Sequence, residues 1–203
     1  MVFWHGRICL VVIQLMNFVI LASGEGTTAA HLLNQNLKNV NWSGVITDNP
    51  KSGVQKRCEC TLIERKDKEP KNLHEARIVS CLRDWRVDMI ILAGYMRILS
   101  PYILNQYPTI NIHPSLLPKH KGKHAIRDTL ISGDNKSGCT IHWVDQGVDT
   151  GVIIAQHEVP VEFNDTESTL RQRIHERELI LYPQVIEKVA NTKLSVDNLP
   201  KSL

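Results

Sequence analysis

Three short stretches of the chain combine residue types that could do chemistry together. The first is Asn111-Ile112-His113-Pro114-Ser115-Leu116-Leu117-Pro118. Alternate residues of an extended strand share a face, so the Asn111 carboxamide and the His113 imidazole would stand side by side. A carboxamide can hold a developing oxyanion and an imidazole can handle a proton, which is what acyl transfer to an amine requires. The competing reading is a loop histidine bonded to a backbone carbonyl. The second stretch is Gly147-Val148-Asp149-Thr150-Gly151, where Asp149 could supply a carboxylate to that imidazole or could bond its own turn backbone. The third is Ser23-Gly24-Glu25-Gly26-Thr27-Thr28. Gly24 and Gly26 allow a tight turn and close approach of backbone N–H groups to an anion, and Thr27 and Thr28 add hydroxyls at the start of a helix. A phosphate suits this loop, and so does an ordinary strand-to-helix turn. The loop lacks the Lys-Ser/Thr ending of a P-loop and the third glycine of a dinucleotide fingerprint, which argues against ATP and NAD. Glu25 should point away from a bound anion.

These residues need a scaffold that brings strand ends together. Short β-branched runs alternate with segments of helical period, the pattern of an α/β protein with a mostly parallel sheet. Strands are expected at 17–22, 42–47, 89–93 and 109–112, and helices at 28–36 and 73–85. After Gly133 the segments 139–144 and 152–159, joined by a turn-rich connection, read as an antiparallel pair at one end of the sheet. Asp165 or Thr166 can cap a long last helix reaching about Ala190, with Glu167 in its first turn. The charge cluster from Asp67 to Lys71 reads as an exposed loop.

The bulk properties suit one domain with a sizeable core: 203 residues, 42% of them hydrophobic. A net charge of +3 is too small an excess to imply nucleic-acid binding, while anionic small molecules remain suitable ligands. The five cysteines (9, 58, 60, 81 and 139) lack metal-site spacing and read as reduced packing thiols. The segment from Met1 to Ala22 has the outline of a secretory signal peptide. The alternative, which we expect, is that Met16 is the working start and 17–22 a buried strand, because cleavage after Ala22 or Gly24 would destroy the first loop. The expected layout is an extension over 1–15, a domain over 16–192 and a tail over 193–203. The apolar run is short for a membrane span and is interrupted by Gln14 and Asn17.

Taken in order, Asn-x-His-Pro-Ser-Leu-Leu-Pro and Asp-Gly-x-Asp-Thr-Gly in outline, with Ala93-Gly94-Tyr95-Met96-Arg97-Ile98-Leu99-Ser100 before them, resemble the signature of the folate-dependent formyltransferases. The resemblance runs from about Met16 to Ala190 and implies a Rossmann-like open twisted sheet, mostly parallel with antiparallel strands at its C-terminal end and helices on both faces. Length and the first loop point to the glycinamide ribonucleotide type within that family. The implied reaction transfers the formyl group of 10-formyltetrahydrofolate to the amine of glycinamide ribonucleotide, in purine biosynthesis in the cytoplasm, without a metal, a nucleic acid or a membrane. The implied state is a monomer or homodimer.

The resemblance also implies roles. Asn111 stabilises the oxyanion, and His113 hydrogen-bonds that oxygen and assists proton movement. Asp149 sets the charge of His113 and holds a water that carries the amine proton to N10. Thr140 and His142 form a polar backing, Glu178 orients the substrate amine, and Gly24, Gly26, Thr27 and Thr28 hold the phosphate. The pterin lies against Met96, Arg97 and Leu99, largely through backbone. Read without the resemblance, Glu178 is a solvated helix residue, Met96 and Leu99 are core positions and His142 is a buried, satisfied histidine. Three departures stand out: Thr28 occupies a place where the family commonly has Asn, the stretch between Asp48 and Leu73 is shorter than usual, and Lys71 is the available stand-in for an arginine beside the folate tail. Hydrolysis of the same formyl donor by a deformylase, non-catalytic folate or nucleotide binding, and transfer to another sugar-linked amine are the competing readings.

Overall fold

The computed structural model describes residues 15–192 together with two short strands, Phe3–Trp4 (β1) and Arg7–Ile8 (β2), which pair antiparallel as a separate two-stranded sheet. The expected extension, apart from those four residues and Leu15, lies outside the described residues. So do Cys9 and the expected tail.

Seven strands form the main sheet. They are Met16–Leu21 (β3), Val40–Thr47 (β4), Thr61–Leu62 (β5), Met89–Leu92 (β6), Thr109–His113 (β7), Lys136–Trp143 (β8) and Ile153–Pro160 (β9). Their order is β5-β4-β3-β6-β7-β8-β9, parallel up to β7 and antiparallel from β7 to β9. The expected strand pair after Gly133 is therefore β8 and β9, at one edge. The chain builds outward from β3 to β5 and then crosses back to β6, so β3 and β6 flank the point where the winding reverses. Ligands of such sheets sit in the crevice at that point, outside the carboxyl ends of the strands.

The central strands are apolar on both faces, as strands covered on both sides must be. Phe18, Ile20, Met89, Ile91, Ile110, Ile112, Cys139 and Ile141 meet the helices Thr27–Leu33 (α1) and Glu167–Asn191 (α6) on one face. Val19, Leu21, Ile90 and Leu92 meet Lys71–Asp84 (α3) and Pro101–Leu104 (α4) on the other. Helix α6 begins with a capping box in which Thr166 and Thr169 each bond the other's backbone N–H, and Arg173 grips Asp165 at 2.8 Å. The buried Tyr182 hydroxyl donates to the carbonyls of Leu92 (2.9 Å) and Ile110 (3.2 Å), which ties α6 to the sheet.

Besides β1 and β2, four elements were not expected: Val54–Arg57 (α2), β5, α4 and Ala125–Ser132 (α5). Three of them are two to four residues long, too short for any period to register. Lys71, expected in a loop, is the first residue of α3 behind Pro70. Cys139 is buried, while Cys58, Cys60 and Cys81 are half-buried free thiols. Among the described residues no helix is long and apolar enough to cross a membrane.

Candidate active site

Strand β7 delivers the expected amide and imidazole. In the antiparallel register Asn111 stands opposite His142 and His113 opposite Thr140, so these four share a face. The Asn111 amide lies 3.2 Å from His142 Nε2, and His142 Nδ1 is 2.8 Å from the carbonyl of Trp143. That carbonyl is only an acceptor, so Nδ1 carries the proton and Nε2 can accept from Asn111 Nδ2. One Asn111 N–H is thereby fixed and the other stays available. His142 is both the expected backing for Asn111 and a satisfied buried histidine, being 2% exposed.

Asp149 comes in from the β8–β9 turn. In sequence it competed with a turn role, and the structure gives that role to its neighbour: Asp145 Oδ1 accepts from Gly147 N (3.0 Å) and Thr150 Oγ1 (2.6 Å). Asp149 instead reaches across to the Gly122 N–H (2.7 Å), with Oδ2 3.3 Å from His113 Nδ1 and Oδ1 3.6 Å from His142 Nε2. Burial alone would raise its carboxyl, but the His142 ring beside it, the Gly122 N–H and the neighbouring His113 outweigh burial and hold it below the usual carboxylate range.

His113 departs from expectation in one respect. Its Nε2 is 2.9 Å from the carbonyl of His120, so Nε2 donates there rather than to a reacting oxygen. With Nδ1 facing a carboxylate, the ring satisfies both neighbours only when both nitrogens carry protons. The carbonyl-bonded reading and the carboxylate-paired reading of His113 are both realised. What the ring can present to an oxyanion is its charge, with Asn111 supplying the free N–H. Thr140, fully buried, backs the 113–118 segment: it donates to Ser115 O (2.6 Å) and accepts from Leu117 N (3.1 Å) and Gln156 Nε2 (2.9 Å).

The ligand loops leave the sheet at the winding reversal. Ser23 N donates to Gly94 O at 3.1 Å, so the loop after β3 and the loop after β6 lie side by side. Ser23 Oγ donates to the buried Asp48 (2.5 Å) and accepts from Met96 N (3.1 Å), while Arg97 pairs with the other Asp48 oxygen. Asp48 went unnoticed in sequence, although a carboxylate directly after a parallel strand was a usable signal. Gly26 caps α1 in the left-handed region, φ 76°, with Val54 so close that a Cβ would meet it at 2.6 Å. The first N–H groups of α1, from Thr27 onward, have no acceptor within the helix and open outward. Glu25, expected to point away, is exposed and lies across Gly53.

Other expected residues fall elsewhere. Leu99 belongs to the core at 4% exposure, whereas Met96 (67%) and Ile98 (55%) stand out in solvent; the segment is a loop, so helical spacing does not apply. The Arg97 side chain is engaged by Asp48, which leaves its backbone for a ligand. Glu178 is not brought to the Asn111 cluster by any polar contact: it pairs with His175 at 3.0 Å on α6, the helix covering the opposite, Ile110 and Ile112, face. Lys71 lies 3.8 Å from Glu75 on α3. A cavity of about 570 Å³ flanks the 116–120 loop and is lined by Leu116, Pro118, His120, Lys136, Gln156 and Glu158, but not by Asn111, His113 or Asp149. Among the described residues no group of three or more His, Cys, Asp or Glu could hold a metal.

Comparison with known proteins supplies the remaining evidence. Residues 16–186 match the model of the family described as Formyl transferase. The chain is 38% identical to a phosphoribosylglycinamide formyltransferase of Bacillus subtilis over 183 residues, 85% of this chain and 93% of that protein. It is 47% identical over 133 residues to a trifunctional purine biosynthetic protein of Chironomus tentans, 64% of this chain but 10% of that much longer protein. Among solved structures, glycinamide ribonucleotide transformylase 1 from Symbiobacterium toebii superimposes with a TM-score of 0.86 at 31% identity, covering 95% of each chain.

Proposed function

The chain belongs to the formyl transferase family, and on that premise we propose that it transfers the formyl group of 10-formyltetrahydrofolate to the primary amine of glycinamide ribonucleotide, a cytoplasmic step of purine biosynthesis. The activities for which the Bacillus and Symbiobacterium relatives are named support glycinamide ribonucleotide as the acceptor. The half-buried free thiols suit a reducing compartment. Residues 16–192 form the catalytic domain in this reading, supported by the extent of the family match.

The observation that carries the proposal is the meeting of Asn111, His113 and Asp149 at the carboxyl end of β7. The amine nitrogen bonds to the formyl carbon, the formyl C–N10 bond breaks, and the proton lost by the amine ends on N10. The free Asn111 N–H takes the oxygen that becomes negative, and the His113 charge, fixed by Asp149, stabilises it further. The Asp149 carboxylate, held ionised by its donors, relays the amine proton through a water. Gly24, Gly26, Thr27 and Thr28 hold the phosphate through backbone N–H groups and hydroxyls.

The loop after β6 fits a folate. Met96 and Ile98 are exposed apolar side chains that a flat pterin would cover, and the backbone around Arg97 and Leu99 would bond its polar edge. Lys71 is a candidate for the acidic folate tail and Glu178 for orienting the amine. A steady-state assay with both substrates tests the reading. Tetrahydrofolate must form only when glycinamide ribonucleotide is present; release of formate at full rate without it would make the protein a deformylase instead.

A further inference from the structure

We propose that Asp134 is a positioning residue for His113, acting through His120. The inference rests on the reading of His113 given above and extends it to two residues outside the cluster. The His120 carbonyl that receives His113 Nε2 belongs to a loop residue in the left-handed region, φ 52°, a conformation that a side-chain-bearing residue keeps only when its surroundings impose it. Asp134, just after α5, imposes it. One oxygen takes His120 Nε2 at 2.7 Å and the other takes Lys119 Nζ at 3.0 Å, so a single carboxylate grips two consecutive loop residues.

The same two residues are gripped from inside. The fully buried Ser115 hydroxyl lies 2.8 Å from the Lys119 carbonyl and 3.2 Å from the His120 carbonyl. His120 thus hangs between Asp134 outside and Ser115 with His113 inside, and its peptide plane sets the rotation of the His113 ring. Loss of the outer grip lets the His120 peptide rotate out of the left-handed region. The Nε2 acceptor then departs and the ring is held by Asp149 alone. The charged and titratable groups around His113 are Asp149 and His142 from the sheet, and His120, Lys119 and Asp134 from the loop side. The His120 and Lys119 hydrogen bonds lower the Asp134 carboxyl to about 2, so the grip persists across the working pH range.

The test compares wild type with Asp134→Asn and Asp134→Ala. The kcat should fall roughly ten- to a hundredfold, the scale of a small misplacement of a catalytic group, with both KM values within about twofold. The kcat pH profile should shift in its limb governed by the His113–Asp149 pair. In ring nitrogen NMR, the slowly exchanging His113 Nε2–H of the wild type should broaden or vanish in the variants. An unchanged kcat with an unchanged Nε2–H signal overturns the inference. So does a loss in which kcat and thermal midpoint fall while both KM values rise, which marks a merely structural residue. If Asp134→Ala does not fold, the near-isosteric Asn variant decides. If wild type shows no transfer at all, the proposed reaction fails, while the NMR comparison still settles whether Asp134 orients His113.

Discussion

The two halves of the sheet hold their functional groups by opposite means. At the antiparallel end, side chains face one another and are nearly sealed: His113 is 5% exposed, His142 2% and Thr140 0%, and each makes two or more polar contacts. At the parallel centre, the first backbone N–H groups after Gly26 have no acceptor within their helix, while Ser23, Asp48 and Arg97 face each other beside them. The contrast suits the two tasks of the proposed reaction. Stabilising a transient charge needs a charge or donor at a fixed position in poorly solvated surroundings, which buried and doubly held side chains supply. Receiving a phosphate or a flat ring needs a concave backbone surface, which turns and helix starts supply. The side-chain half should therefore respond to substitution in kcat, and the backbone half in KM.

The largest effect is expected at Asn111, whose second N–H is the proposed donor to the reacting oxygen. Asn111→Ala should lower kcat by about 10²–10³-fold, the range found for deleting one oxyanion donor, with both KM values nearly unchanged. Rates within a few-fold of wild type would place the oxyanion elsewhere. Gly26→Ala probes the other half. It forces a side chain into a left-handed φ and against Val54, costing about 1–3 kcal/mol. The expected result is a raised KM for the ribonucleotide and a lowered thermal midpoint, with kcat at saturation retained. A fall in kcat alone would erase the division of labour.

Much of the candidate site's placement was legible because it rides on long strands. The 109–113 run has a period of two, so Asn111 and His113 could be put on one face before any fold was known, and the register adds Thr140 and His142 opposite them. The α6 start was legible through Thr166, a local signal read within four residues. What escaped depends on chain crossings. Gly122, His120 and Asp134 reach the site through backbone atoms and a left-handed turn that no side-chain pattern encodes. Asp48 acts only because β4 ends beside β3, and Glu178 and Lys71 fall where helix packing, not motif, sets their surroundings.

A smaller effect tests the electrostatics of the sealed half. A carboxyl depressed in the folded state contributes stability that is fully present above its ordinary range and is lost as pH falls through its own lower value. Asp149 is such a group. His142→Asn removes the foremost of the contacts that lower it, so the acid loss of stability should be smaller and complete at a higher pH. At neutral pH the cost should be about 1 kcal/mol, the net worth of an ordinary hydrogen bond such as that between His142 and Asn111. Thermal midpoints taken from neutral to acid pH give both readings, and an acid limb that does not move would mean that Gly122 and His113 alone set the Asp149 charge.

The smallest effect decides how strictly the parallel half relies on backbone. Thr28 is half-buried on the first turn of α1, and Val matches it in shape and in helix preference while removing the hydroxyl. If N–H groups do most of the gripping, Thr28→Val removes one donor among several. The ribonucleotide KM should then rise by roughly threefold to fivefold, corresponding to about 0.5–1 kcal/mol for one hydrogen bond. The folate KM, kcat and thermal midpoint should not change. A rise far beyond this, at an unchanged midpoint, would make the Thr28 hydroxyl the principal contact, and the phosphate cradle would then depend on side chains as much as the reaction centre does.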